Sequence, residues 1–160
     1  MTWRHLLSLL LLGWILNSCT QLSLYERSVA IPKHRWHSHF VPSFDCSIKD
    51  TTARYDIALI LRHRDLYRYN NIWLNITVTG PDQKKYSFDT EKQLGTNENG
   101  WLGSGMDDIY EHRISLQKDL LTHGISLRNP GHYNFQIKQI MREDPLEYVM
   151  NVGIRIEKKP

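Results

Sequence analysis

Cysteine is scarce in this sequence, two among 160 residues, which excludes a disulfide-stapled scaffold and a multi-cysteine zinc site. Charge of one sign never gathers. Twenty Lys or Arg and seventeen Asp or Glu are interspersed for a formal net charge of +3, with no basic run able to grip a phosphate backbone, so nucleic acid is excluded as a partner. There is no internal repeat, no low-complexity tract and no Gly-x-Ser-x-Gly elbow. Sustained 3.6-residue periodicity is missing, and long hydrophobic runs are missing except at the very start. What is present is a globular balance, 41% hydrophobic and 23% charged, at a length suited to one domain.

The single apolar run supplies an address. Met1-Thr2-Trp3-Arg4-His5 is short and basic, and Leu6 to Leu16 follows as eleven mostly apolar residues. Such a run is too short for a ~30 Å hydrocarbon core, which takes about 20 residues, so it reads as a secretory signal. It ends at Leu16-Asn17-Ser18-Cys19, and a small residue followed directly by cysteine resembles the lipobox of bacterial lipoproteins, with Asn17 departing from the usual pattern. That resemblance implies removal of residues 1–18 and a diacylglycerol on the Cys19 sulfur. One acyl chain holds a membrane only marginally, whereas two or more hold it durably. Residues 19–32 then form a lipidated tether and 33–160 the folded domain. Cys46 is left without a partner and reads as a small packed apolar residue.

The body alternates with period two. Ile72, Leu74, Ile76 and Val78 share one face while Asn75, Thr77 and Thr79 take the other, up to the turn Gly80-Pro81-Asp82. Tyr148, Met150, Val152, Ile154 and Ile156 make a second strand, and Tyr133, Phe135 and Ile137 a third. Tyr55, Ile57, Leu59 and Leu61 make a fourth, apolar on its other face at Ala58 and Ile60. Weaker segments are His39–Ile48, Lys85–Asp89 and Ile109–Leu116; Leu24–Ile31 is an edge strand or a tether, and Ser115–His123, stopped by Gly124, a short helix. Seven or eight antiparallel strands separated by turns predict an all-β single domain, a β-sandwich of immunoglobulin or jelly-roll type.

Chemistry is harder to place. Asn97–Gly105 is glycine-rich, but no Lys-Ser/Thr follows, so a phosphate loop fails and a tight corner, or a loop displaying Trp101, remains. Asp107, Asp108 and Glu111 bring carboxylates together as a calcium candidate weighed against a solvated acidic face. His37 and His39 could face one side of a strand as metal ligands, yet their surroundings are basic. Trp36, Trp73, Trp101 and Tyr69 are the candidate interaction surface for a protein or a glycan, against the alternative that they are core. No catalytic, cofactor-binding or metal residue is assigned.

The chain resembles the GldH family of gliding-motility lipoproteins of Bacteroidetes-type bacteria. The likeness rests on Cys19, Tyr25-Glu26, Trp36, Ile60-Leu61-Arg62-His63, Tyr69-Asn70-Asn71-Ile72-Trp73-Leu74 and Gly100-Trp101-Leu102-Gly103-Ser104-Gly105. It continues through Gly131-His132-Tyr133-Asn134-Phe135, Gln139-Ile140-Met141-Arg142, Pro145-Leu146 and Val152-Gly153-Ile154-Arg155-Ile156-Glu157-Lys158. The resemblance implies a non-enzymatic envelope lipoprotein, held in the membrane by the lipid on Cys19, supporting gliding or type IX secretion through contacts with other proteins. Thr20-Gln21-Leu22-Ser23-Leu24 carries no acidic export cluster and no aspartate follows Cys19 directly, so an outer-membrane, periplasm-facing position is expected. The alternative is a lipid-anchored carbohydrate-binding module in which tryptophans stack on sugar rings.

Overall fold

A computed structural model describes residues 24–159; Cys19 and the signal before it lie outside the described residues. In chain order the strands are β1 Leu24–Ala30, β2 Arg35–Trp36, β3 Ser43–Ile48, β4 Arg54–Arg64, β5 Asn71–Thr79, β6 Lys85–Gln93 and β7 Gly95–Thr96. There follow β8 Gly100–Trp101, β9 Ser104–Met106, β10 Ile109–Ser115, β11 Gly131–Gln139, β12 Leu146–Glu147 and β13 Val149–Lys159; among the described residues a single 3-10 turn covers Pro32–His34 and a single α-helix, α1 Gln117–Thr122, follows β10. Eight of these strands have six residues or more, matching the all-β sandwich expected from alternation; the additional pieces are short bridges at one end.

Two antiparallel sheets face each other. One has the order β1-β13-β4-β10-β9 and the other β3-β11-β5-β6, and the chain crosses repeatedly between them. The core between them is a continuous apolar layer: Ile57, Leu59 and Leu61 from β4 meet Ile72, Leu74, Ile76 and Val78 from β5 and Phe135 and Ile137 from β11, all buried. Burial of this continuous layer is what drives the sheets together.

Four details differ from expectation. Of the two readings of Leu24–Ile31 the edge strand holds and the tether does not: Leu24–Ala30 pairs with β13 along its whole length, Leu24 opposite Glu157 and Ala30 opposite Asn151, so the sheet includes residues placed before Lys33 in the tether. The strand after His39 starts only at Ser43, and His37 and His39 lie before it outside any strand. β6 runs on to Gln93, because the inward-facing Thr90 and Lys92 are polar and hide its alternation. In β13 a register shift between Val149 and Asn151 puts Val149 inside where Met150 was expected. Tyr148, at a left-handed φ of 68°, turns the chain into that irregular stretch.

The sandwich has two unlike ends. Leu24, Glu157, Tyr55 and Ile48 lie at one, with α1 and the turns 80–84 and 124–130; the short bridges and the glycine-rich segment close the other.

Candidate functional site

At the bridged end, β4 and β10 run side by side with His63 opposite Tyr110 and Leu61 opposite His112. Both histidines keep the inward phase of their strands and are buried. Their Nε2 atoms are 2.9 Å apart. Nδ1 of His63 lies 2.8 Å from the carbonyl oxygen of Arg64 and donates to it, so its Nε2 accepts the N–H of His112. Burial pushes the pKa of His63 down; burial and the neighbouring His63 push that of His112 down to about 4. Both rings are therefore neutral at pH 7.

An aromatic shell encloses the pair. The Trp101 indole sits edge-on to His63 with centroids 4.4 Å apart, and its N–H donates to Asp65 Oδ1 at 2.8 Å. Tyr110 stacks on His63 and Tyr67 tilts against it. Tyr67, buried, donates its hydroxyl to the Asn71 carbonyl, and Tyr69 donates to Glu143 Oε2 at 3.0 Å. The glycine-rich segment forms the lid of this cluster. A Cβ on Gly103 would stand 2.6 Å from the Glu111 carbonyl oxygen and 2.9 Å from the His112 ring, and one on Gly105 would stand 2.7 Å from the Tyr110 ring. Close approach, not phosphate binding, explains those glycines.

The sequence-selected aromatics part company here. Trp36 is wholly buried, its N–H donating to the Phe40 carbonyl at 2.8 Å, so it offers no surface. Trp101 and Tyr69 are half-buried members of the bridged end. Trp73 stands out, 42% exposed, on the outer face of the β3-β11-β5-β6 sheet. Sequence reasoning passed over His63 and His112, although His63 continues the inward phase of Leu59 and Leu61.

The other candidates resolve into packing and ion pairs. Cys46 is buried, and burial reinforced by Asp45 pushes its thiol up to about 12, far from a nucleophile. Asp108 pairs with Arg64, and Glu111 accepts from Arg62 at 2.5 Å and from Arg113 at 3.2 Å, so these carboxylates are engaged by arginines. His37 and His39 are exposed with ring centroids 5.0 Å apart, and the fold brings Asp144 to 3.9 Å from His37. Among the described residues no three His, Cys, Asp or Glu side chains are grouped to hold a metal.

Comparison with known proteins places this geometry in context. The family model of GldH lipoproteins matches residues 23–156. A protein of Christiangramia forsetii named gliding motility lipoprotein GldH homolog is 30% identical over 152 residues, covering 90% of this chain and 89% of that one. The gliding motility lipoprotein GldH of Flavobacterium johnsoniae is 28% identical over 158 residues, covering 94% of each chain. Among solved structures, a carbohydrate-binding module specific for non-crystalline cellulose aligns at 9% identity and a TM-score of 0.44, over 84% of this chain and 73% of its own. That likeness is too slight to bear on ligands.

Proposed function

This chain belongs to the GldH lipoprotein family, and from that premise we propose that it is acylated at Cys19 and serves the gliding machinery and its associated type IX secretion apparatus from the outer membrane, facing the periplasm. It performs no reaction of its own in this reading and acts by contact with other envelope proteins. The observation that carries the proposal is the match to gliding-motility lipoproteins from one end of the folded body to the other. Trp73 is an exposed aromatic of the contact surface, and Trp101 and Tyr69 contribute at the bridged end, where Leu66 and Leu102 stand 58% and 55% exposed. The wall of arginine–carboxylate pairs from Arg62 and Arg64 to Glu111 and Asp108 gives that end a rigid, charged rim.

The test is replacement of the gene by Cys19→Ser and by Trp73→Ala alleles. Loss of colony spreading and of secretion with Cys19→Ser, together with loss of fatty acid from the N-terminal peptide by mass spectrometry, supports the reading. Normal spreading, secretion and envelope integrity in a deletion strain would overturn it.

A further inference from the structure

Five peptide links separate Cys19 from Leu24, the first residue of β1. Even fully extended they reach about 17 Å. An acylated Cys19, the reading proposed above on which this one rests, therefore holds the Leu24 end of the sandwich close to the headgroups, with the bridged end beyond.

The two ends carry opposite charge. Residues 49–56, 80–85, 116–130 and 157–159 contain eight Lys or Arg against five Asp or Glu. At the bridged end, residues 32–42, 64–70, 94–108 and 140–148 contain five against seven. Several acids of the Leu24 end are already neutralised: Asp50 by Lys158 and Asp56 by Lys159, both at 2.7 Å, and Asp119 by Lys92 at 2.6 Å. Lys49, Arg54, Lys85, Lys118 and Arg128 have no acidic partner within 4 Å among the described residues.

Apolar surface lies among these cations. Leu121 of α1 is 60% exposed. Beside it a cleft of about 370 Å³ is lined by Arg54, Arg128, Leu120 and Ile125 together with the paired Asp56 and Lys159. Gln117 also lines it, and its buried Oε1 has no hydrogen-bond partner.

We infer that the Leu24 end is a membrane-docking face, seated on the anionic bilayer that holds the protein's own lipid. Unpaired cations gain from an anionic headgroup layer and lose that gain with salt. Leu121 reaches the interfacial region, and the cationic cleft is chemically suited to headgroup phosphates. The short leash keeps this surface at an effective concentration that a soluble partner does not match. The result is an end-on stance that presents the acidic, aromatic-rich end to the machinery.

The experiment uses protein purified from membranes and reconstituted into phosphatidylethanolamine vesicles containing phosphatidylglycerol and brominated lipid. A fluorophore is placed at Leu121→Cys or, at the other end, at Leu66→Cys; acylated Cys19 and buried Cys46 do not compete for label. Several-fold stronger quenching at 121 than at 66, reduced by 0.5 M salt and by Arg54→Glu with Arg128→Glu, supports docking. Equal quenching at both positions, or quenching at 121 indifferent to charge, overturns it. The Cys19→Ser chain separates the two readings: salt-sensitive sedimentation with the same vesicles, abolished by the double charge reversal, upholds the face even where no acyl group is found. Weak, equal quenching at both positions in protein whose acylation is confirmed by mass spectrometry refutes the face and leaves the anchor standing.

Discussion

His63 and His112, 49 residues apart in sequence, share a single hydrogen bond between their Nε2 atoms at 2.9 Å inside the sandwich. The bond needs one neutral acceptor and one donor. A proton added at the accepting nitrogen turns a bond into a repulsion between two N–H groups, in a place water cannot solvate.

Acid should therefore weaken the fold before the carboxylates titrate. Burial lowers the pKa of both rings, that of His112, whose free nitrogen is Nδ1, to about 4 from 6.5, so the unfolded chain binds protons that the folded one refuses. Stability is full above pH 6.5, falls as pH drops toward 4, and levels off below that for this pair. The loss is about 3 kcal/mol. Urea melts at intervals from pH 7 to 4.5 measure it. A variant with His63→Phe and His112→Leu should flatten the curve over that window; an unchanged slope would assign the effect elsewhere.

Gly103→Ala should destabilise the protein by about 2 kcal/mol or more, because the new Cβ meets the Glu111 carbonyl and the His112 ring at once. Gly100→Ala meets nothing within 4 Å and pays only for its positive φ of 68°, about 1 kcal/mol. A thermal-melt comparison orders the two, with Gly103→Ala the lower.

The tryptophans make a contrasting pair. Trp36→Ala empties a fully buried site and leaves the Phe40 carbonyl without its donor, a loss of about 3–5 kcal/mol. Trp73→Ala, at 42% exposure, should stay within about 1 kcal/mol of the parent. Chemical denaturation separates them, and a stable Trp73→Ala protein qualifies that allele for the spreading assay.

Asp119 accepts from both Thr90 and Lys92 of β6, at 2.6 Å each. Burial alone would raise its carboxyl, but those hydrogen bonds and the Lys92 charge prevail and hold it below the usual range. Asp119→Ala strips the partner from a buried ammonium and should cost about 2–3 kcal/mol. Hydrogen exchange should then speed up across α1 first; uniform acceleration through both sheets would argue against so local a role.

The strands that were legible are those whose inward positions are apolar in a run: β5 and the body of β4, β11 and β13. Where an inward position is polar the pattern fades. Thr90 and Lys92 concealed the second half of β6, because their partner Asp119 lies on a distant helix and no local rule anticipates it. The β13 irregularity was invisible for a related reason: a one-residue slip reverses every side chain after it, and only the pairing partner reveals where it occurs.

The sequence on its own determined the all-β sandwich, the turns that bound its long strands and the family. Period-two burial and turn chemistry are local physics, written residue by residue. Tertiary structure alone decided which tryptophan is core and which is surface, why Gly103 must lack a side chain, and that His63 meets His112. It also decided that unpaired cations collect at the end where β1 begins. Each of these depends on which strands become neighbours, and neighbours in an antiparallel sandwich are set by long-range pairing that no short window of residues contains.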